Sequence, residues 1–330
     1  MTEFEFLDYD GKSLFTNCLV YQNEMKVQIH LLPVIHIGDT PYYSELQDYV
    51  QDRICLFENL NLVSSDDGLK KSVTSLDEYL ELSSQGIEEF WELYNILLKK
   101  FYKKFLTRDI KSLWKLAKKE FKNVNDNSRT IYDNCVKSCF GIQNIFPITL
   151  YLCEIMNLDH QMIAIDYIND IAHRTNWIHA DLDLAKITEN VNLNDLFEEI
   201  LTDPSPEILE VTLQQIRFVL TNVLVMRRFK KSPDASKRRE LLADDLIQSF
   251  TQEFEEVINN TPDYLMEDRN SIVEDKILNL IEDHEEIVVF YGVGHMRALE
   301  GFLLKHGFNL ISKQSFEAFK IEDNKSKIED

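Results

Sequence analysis

Apolar residues are concentrated in short runs near the two ends of the chain, whereas the long stretches between them carry apolar residues at helical spacing. Short apolar runs bounded by polar or turn-forming residues predict β-strands. A run as continuous as IVVFY at 287–291 is typical of a strand buried on both faces of a sheet. The pattern predicts strands at residues 13–20, 26–35, 53–57, 162–166, 286–291, 308–311 and 316–321.

Two predicted helices directly follow predicted strands. Thr40 is predicted to cap the first, with Pro41 at its opening position, and the second covers residues 296–307. Helical spacing also dominates at about 66–146 and 182–284. The order of elements predicts an α/β fold with a mixed, largely parallel central sheet flanked by helices. Because no linker separates two halves, we expect a single domain whose two helical segments are insertions that form a cap.

The charge and cysteine content narrow the classes of function. The chain has 35 Lys and Arg against 57 Asp and Glu, a formal net charge of −22, which would repel a phosphate backbone and excludes nucleic acid as an expected partner. Because no leader sequence is visible and no run reaches the roughly 18 apolar residues that span a bilayer, we expect a cytoplasmic protein without membrane association. Five scattered cysteines predict free thiols.

Residues 76–122 have apolar positions at helical spacing and few helix breakers, so they are predicted to be helical and to lie outside the sheet. Residues 99–122 form a basic segment in an otherwise acidic chain. Such a segment could lie on an anionic membrane surface, or its apolar stripe could pack against the cap while its lysines face water.

Three predicted strands end in residues capable of chemistry. His36 follows the strand at 26–35, Glu58 follows the strand at 53–57, and His295 follows the strand at 286–291. Parallel strands bring their carboxyl ends to one edge of a sheet, where ligands bind in open α/β folds. Two imidazoles and a carboxylate at such an edge suit a divalent metal ion, or a general base with its orienting partner.

Two glycines precede His295 in the motif GVGH. Gly292 and Gly294 would allow a positive φ and close approach of a ligand to the backbone, or they could simply make a tight turn. A purely structural role is also open for His36 and Glu58. Asp181 could line the same cleft or cap a helix, as could nearby side chains. Four other histidines are predicted to be surface residues without a role: His160, His173, His284 and His306.

The segments that carry these candidates resemble the TraB/PrgY/GumN and TIKI-type family, which belongs to a wider group with erythromycin esterase and haem-binding ChaN proteins. PVIHIGDTPYYSELQDYVQDRICLFENL is similar to the family's opening block, in which a G-x-x-H strand end precedes a helix and a strand ending in Glu. YGVGHMRALEGFLLKHGF resembles the second G-x-x-H block, and EDRN resembles an Arg-bearing segment before it. The resemblance implies a site made of His36, Glu58, Arg269, Gly292 and His295. Pro33 departs from the family pattern, because the first motif has glycine there.

TIKI members are regarded as metal-dependent proteases, and other relatives are implicated in peptide-pheromone shutdown. The resemblance therefore implies a metal-dependent hydrolase, possibly peptide-directed, in which His36, Glu58 and His295 hold zinc or manganese. Glu58 and Arg269 would act in catalysis, and Arg269 would bind or polarise an anionic or carbonyl oxygen. One alternative is a binding protein that sequesters a peptide, haem or another small molecule without turnover. Another is an interaction protein that docks a partner through its helical cap.

Overall fold

The computed structural model of the protein describes residues 6–58, 152–165, 171, 174–181, 228–229, 231–251 and 263–322. The chain divides into two compact units, of which the first comprises residues 1–65, 152–184 and 232–330. Nearly all of the described residues belong to this first unit. It contains the sheet and all of the candidate site residues that the structure describes.

The described elements include both strands and helices along the chain. In chain order they are β1 (Leu7–Tyr9), β2 (Ser13–Gln22), β3 (Gln28–Val34), β4 (Ile37–Gly38), α1 (Thr40–Val50), β5 (Ile54–Phe57), β6 (Asp159–His160), α2 (Gln161–Ala164), β7 (Trp177–His179), α3 (Ala235–Thr251), α4 (Asp263–Leu280), β8 (Glu286–Gly292), a 3₁₀ helix (Val293–His295), α5 (Met296–Lys305) and β9 (Asn309–Lys320).

Seven of these strands form one mixed sheet. Strands β3, β8, β5 and β7 are neighbours in that order and all run parallel. Strand β2 joins this parallel part through an antiparallel pairing with β3, and it also pairs antiparallel with β1 and with β9. The predicted α/β class is confirmed, as is the prediction that the strands before His36, Glu58 and His295 are neighbours, with β8 in the middle.

Burial on both faces explains why the parallel strands are almost wholly apolar. Every residue of β8 between Ile287 and Tyr291 is at most 1% exposed. Helix α5 packs near β3, α4 packs near β8 and α5, and α1 packs against β9. The helices therefore supply the apolar cover that a parallel sheet needs.

Pro33 lies in β3 opposite Tyr291 of β8. Pairing of β3 with β2 covers residues 28–31 only, so Pro33 lies where β3 pairs with β8 alone. The missing amide proton of proline therefore costs no bond to β2 at this position.

Three details of the sequence prediction are wrong. The predicted strand at 162–166 is a single helical turn at Gln161–Ala164, and a short apolar run cannot distinguish the two. The strands predicted at 308–311 and 316–321 are one strand, β9, because the exposed polar residues between them hide its continuity. The residue that caps α1 is Asp39, one position earlier than predicted, and Thr40 is the first helical residue.

Other predictions fall partly or wholly outside the described residues. Helices α3 and α4 lie within the predicted insertion at 182–284, and both belong to the same compact unit as the sheet. The insertion at 66–146, the helix at 76–122 and the basic segment at 99–122 lie outside the described residues. Cys18, Cys55 and Cys153 are buried and free, as predicted. Within the described ranges, no helix is long and apolar enough to cross a membrane.

Candidate functional site

The parallel strands bring three candidate side chains to one edge of the sheet. Val34 of β3 lies opposite Gly292 of β8, and Phe57 of β5 lies opposite Phe290. His36, Glu58 and His295 follow these positions by one to three residues beyond the strand ends. The shared register explains why residues far apart in sequence meet at the carboxyl edge.

Glu58 is held by protein donors on both carboxylate oxygens. Oε1 accepts a hydrogen bond from Nη2 of Arg269, and Oε2 accepts one from the backbone amide of Gly292. The amide of Glu58 donates to the carbonyl oxygen of Phe290, at 3.1 Å. The chain leaving β5 is therefore tied to β8 at the point where the side chain enters the site.

The absence of a side chain at Gly292 makes room for this close contact. A Cβ atom on Gly292 would lie 2.7 Å from Oε2 of Glu58. The φ angle of Gly292 is −54°, and neither Gly292 nor Gly294 has a positive φ, so conformational freedom is not the reason for glycine here. The sequence predicts close approach of a cofactor to this backbone, and the group seen approaching Gly292 is Glu58. Gly294 lies within the 3₁₀ helix, and a cofactor-binding role for both glycines stays a prediction.

Arg269 connects two carboxylates in the interior. It projects from α4, where its Nε donates to Oδ1 of Asp181 at 2.7 Å, and its Nη2 donates to Oδ2 at 2.9 Å as well as to Glu58. The side chain of Arg269 is 7% exposed and that of Asp181 is 0% exposed. The sequence left the role of Asp181 open between cleft and helix cap, and the structure places it in this cluster. Burial of a charge requires such a partner, which no local sequence pattern identifies.

The groups around Glu58 keep its carboxyl ionised. Burial alone raises the pKa of the Glu58 carboxyl, but Arg269, His295, His36 and the Gly292 amide together lower it to about 2. Their effect on this carboxyl also shows that the four predicted site residues lie within electrostatic reach of one another. Arg269 contacts Glu58 directly, and convergence of all four side chains on one cleft stays a prediction.

His295 is a buried, neutral imidazole. Its Nδ1 lies 2.7 Å from Oδ1 of Asn270, and its ring packs edge-on against Tyr291 at a centroid distance of 4.9 Å. Burial lowers the pKa of His295 to about 4, although the Glu58 carboxylate opposes the change. At neutral pH this side chain is uncharged.

His36 is exposed, in contrast to His295. Its Nδ1 lies 2.9 Å from Oε1 of Gln161, and its carbonyl oxygen accepts the amide proton of Gln161 at 2.9 Å. Strand β4, directly after His36, pairs with β6, directly before Gln161. This two-stranded sheet is what brings the segment around residue 160 to His36.

The prediction that His160 is a surface residue is wrong. It is 4% exposed, and its ring stacks parallel to that of His36 at a centroid distance of 6.2 Å. Burial, followed by the nearby His36, lowers the pKa of His160 to about 3. The apolar run after His160 was interpreted as a strand, so its helical turn and the site contacts of Gln161 were missed.

The described side chains at this edge of the sheet do not form a ligand set for the predicted zinc or manganese ion. Two imidazoles and a carboxylate are suitable ligand types, but in the described part of the chain no group of three or more His, Cys, Asp or Glu side chains is placed to hold a metal ion. Both oxygens of Glu58 already accept hydrogen bonds, and a cation there would be repelled by the Arg269 guanidinium. The arrangement does not fit a metal site as it stands, and metal binding stays a prediction.

No protein-family model matches this chain, and no curated protein or solved structure matches it either. The resemblance to the TraB/PrgY/GumN and TIKI-type family therefore stays a prediction that rests on the motifs quoted above.

Proposed function

We propose that the protein is a hydrolase that acts at the carboxyl edge of the sheet, on a small-molecule or peptide substrate. The observation that carries the proposal is that two imidazoles follow neighbouring parallel strands and lie within electrostatic reach of a half-buried, ionised carboxylate that follows a third. Such a set can take a proton from water and stabilise the resulting imidazolium, which is the general-base step of hydrolysis.

His36 is the proposed general base. Its exposure gives a water molecule and a substrate access to the imidazole. His295 is buried, and with a pKa of about 4 it would hold an abstracted proton poorly at neutral pH, so its proposed role is to orient the water. Glu58, with a pKa of about 2, is too weakly basic to take the proton and instead stabilises the imidazolium of His36.

Arg269 has a supporting role in this proposal. Its Nε and Nη2 groups bind Asp181 and Glu58, so its charge is used to keep Glu58 ionised and in place. This differs from the role that the family resemblance implies, in which Arg269 binds an anionic or carbonyl oxygen of the substrate.

Hydrolysis can be tested with a panel of chromogenic esters and fluorogenic peptides, with and without added zinc or manganese. His36→Gln is expected to lower the rate on any active substrate about 100-fold or more, because a positioned base contributes about 10²–10⁴-fold. His306→Gln is the matched control, since it replaces an exposed imidazole remote from the site, and it should retain the parent rate. Equal rates in parent and His36→Gln, or no hydrolysis by the parent, would overturn the proposal.

Metal dependence is a separate question with its own measurement. Protein purified without chelator is analysed for zinc and manganese beside His36→Ala. About one ion per chain, lost in the variant, would support the predicted cofactor. A parent protein without metal that still hydrolyses substrate would contradict the cofactor prediction and leave the hydrolase proposal intact.

One observation favours the alternative of a non-catalytic binding protein that sequesters a peptide or small ligand. The charges of Glu58, Asp181 and Arg269 are all used within the protein, which is typical of a structural ion-pair network. In the same panel, a substrate peptide that binds without being cleaved would favour this alternative over hydrolysis.

A further inference from the structure

Both imidazoles of the site make the same kind of contact through Nδ1. Nδ1 of His36 lies 2.9 Å from the side-chain amide oxygen of Gln161, and Nδ1 of His295 lies 2.7 Å from that of Asn270. An amide oxygen can only accept a hydrogen bond, so Nδ1 must be the donor in both pairs. A neutral imidazole has one N–H group, which leaves a lone pair on Nε2 of each ring.

We infer that Gln161 and Asn270 are positioning residues that fix both imidazoles as the Nδ1–H tautomer, so that the site presents two bare Nε2 atoms. Two such acceptors select for a species that donates hydrogen bonds to them, such as a water molecule, and they disfavour an anion. The inference rests on the proposed function, because it names how the general base His36 and the water-orienting His295 of that site are oriented.

Gln161 and Asn270 are held in place by different parts of the structure. Gln161 is 4% exposed and is anchored by its backbone bond to His36 and by the β4–β6 pairing. Asn270 is 7% exposed and stands next to Arg269 on α4, so the helix that holds Glu58 also holds His295. Unlike a carboxylate, an amide orients the ring without adding a charge that would favour its protonation.

The tautomers can be read from two-bond ¹⁵N–¹H correlation spectra of histidine-labelled protein at neutral pH. The parent should show His36 and His295 as Nδ1–H. Asn270→Leu should shift His295 alone toward the Nε2–H form, which free neutral imidazole favours, and Gln161→Leu should do the same for His36 alone. His306 is an internal control, because its Nδ1 lies 2.8 Å from the carbonyl oxygen of Phe302 and should stay Nδ1–H in every variant.

Asn270→Asp keeps an acceptor oxygen and should keep His295 as Nδ1–H, which distinguishes tautomer control from simple packing. If Asn270→Leu fails to fold, this second variant and the parent spectrum still decide the question. Turnover on any substrate of the parent should fall about 10–100-fold in Asn270→Leu, the usual cost of losing a partner that orients an active-site imidazole.

An Nε2–H form of either ring in the parent would overturn the inference, as would unchanged tautomers in both leucine variants. The spectra can be recorded without any enzymatic turnover. The tautomer inference and the hydrolase proposal can therefore be contradicted independently. Nδ1–H tautomers in a protein without hydrolytic activity would contradict the proposed function alone. Hydrolysis by a parent with Nε2–H rings would contradict the positioning role alone.

Discussion

The carboxylate of Glu58 receives one hydrogen bond from a guanidinium and one from a backbone amide. In Glu58→Gln the side-chain NH₂ group must face one of these donors, so one contact becomes donor against donor, and Asp181 is the one carboxylate that Arg269 keeps of these two. We expect a loss of about 2–3 kcal/mol in the free energy of unfolding, below the full cost of breaking a buried pair because one carboxylate remains. Urea denaturation measures the loss.

The control is Glu45→Gln, an exposed glutamate of α1. It should change the free energy of unfolding by less than about 0.5 kcal/mol. Similar losses in the two variants would mean that the Glu58 cluster contributes no more than a surface charge.

Gly292 and Gly301 form a matched pair for testing the close approach of Glu58 to the backbone. In Gly292→Ala the new methyl would lie 2.7 Å from Oε2 of Glu58, so the carboxylate must move and lose its amide contact. We expect a loss of about 1–3 kcal/mol and a fall in any activity of the site. In Gly301→Ala the new methyl meets nothing within 4 Å, and because Gly301 lies inside helix α5, alanine should stabilise by about 0.5–1 kcal/mol. Thermal denaturation of both variants shows whether the two signs differ as expected.

At the residue scale, the sequence was sufficient to find the side chains that directly follow apolar strands. His36, Glu58 and His295 have a local signature, because the strand pattern before each is strong. Gln161 and Asn270 have none, since their roles arise only when α2 and α4 are brought beside the sheet. For Asp181 the sequence left two roles open, because its partner Arg269 comes from α4. The sequence identifies groups that chemistry could use, whereas their partners depend on tertiary contacts.

At the element scale, the buried side chain of Arg239 links helix α3 to two other segments of the chain. Arg239 is 3% exposed and donates to the carbonyl oxygens of Met156, Asn157 and Lys320, at 2.7–2.9 Å. Arg239→Met keeps the length of the side chain but leaves these carbonyls without their donor. We expect a loss of about 3 kcal/mol in the free energy of unfolding.

Lys237→Met on the same helix is the control. Lys237 is exposed and its side chain pairs with Glu240 at the surface, a contact worth about 1 kcal/mol or less. Chemical denaturation of the two variants compares the contacts directly. A loss in Arg239→Met no larger than in Lys237→Met would show that α3 is held mainly by its apolar face.

Within the described ranges, the sequence predicts the buried strands and the helices α1 and α5 well, and two exceptions share a cause. The turn of α2 is only four residues long, too short for its period to be distinguished from a strand. The first half of β9 is exposed, so it lacks the alternation that marks a strand with one buried face. The helical form of α2 and the exposure of the first half of β9 are both set by tertiary contacts, which the local sequence pattern does not show.

For the whole molecule, buried imidazoles predict a loss of stability in mild acid. His30, at the opposite end of β3 from the site, is 5% exposed, and burial lowers its pKa to about 4. Its Nε2 lies 3.2 Å from Oε1 of Glu286 without a hydrogen bond, and that carboxylate also binds Arg53. The lowering of the His30 pKa by burial is therefore larger than the raising of that pKa by the Glu286 carboxylate.

Between pH 6.5 and about 4 the unfolded chain binds a proton at His30 that the folded protein does not, so stability falls as the pH falls. His160 and His295 act in the same direction. Each imidazole contributes a slope of up to about 1.4 kcal/mol per pH unit. We expect the melting temperature to drop steadily across this range.

His30→Gln should make the drop in melting temperature shallower, whereas His306→Gln, an exposed histidine, should leave its slope unchanged. A parent melting temperature that does not vary between pH 7 and pH 4 would contradict the burial of neutral histidines.

The position of β8 between β3 and β5 has a consequence for how the protein folds. The two outer strands lie within the first 57 residues, yet neither can pair with the other, because the strand that joins them begins at Glu286. During synthesis on the ribosome, β3 and β5 cannot pair with β8 until the chain has reached residue 292. Until then their backbone edges are unpaired and their apolar side chains are uncovered. Pairings of such long sequence separation fold slowly and expose the chain to aggregation in the meantime. Assembly of the site is therefore a late event in folding, which cannot precede the synthesis of β8.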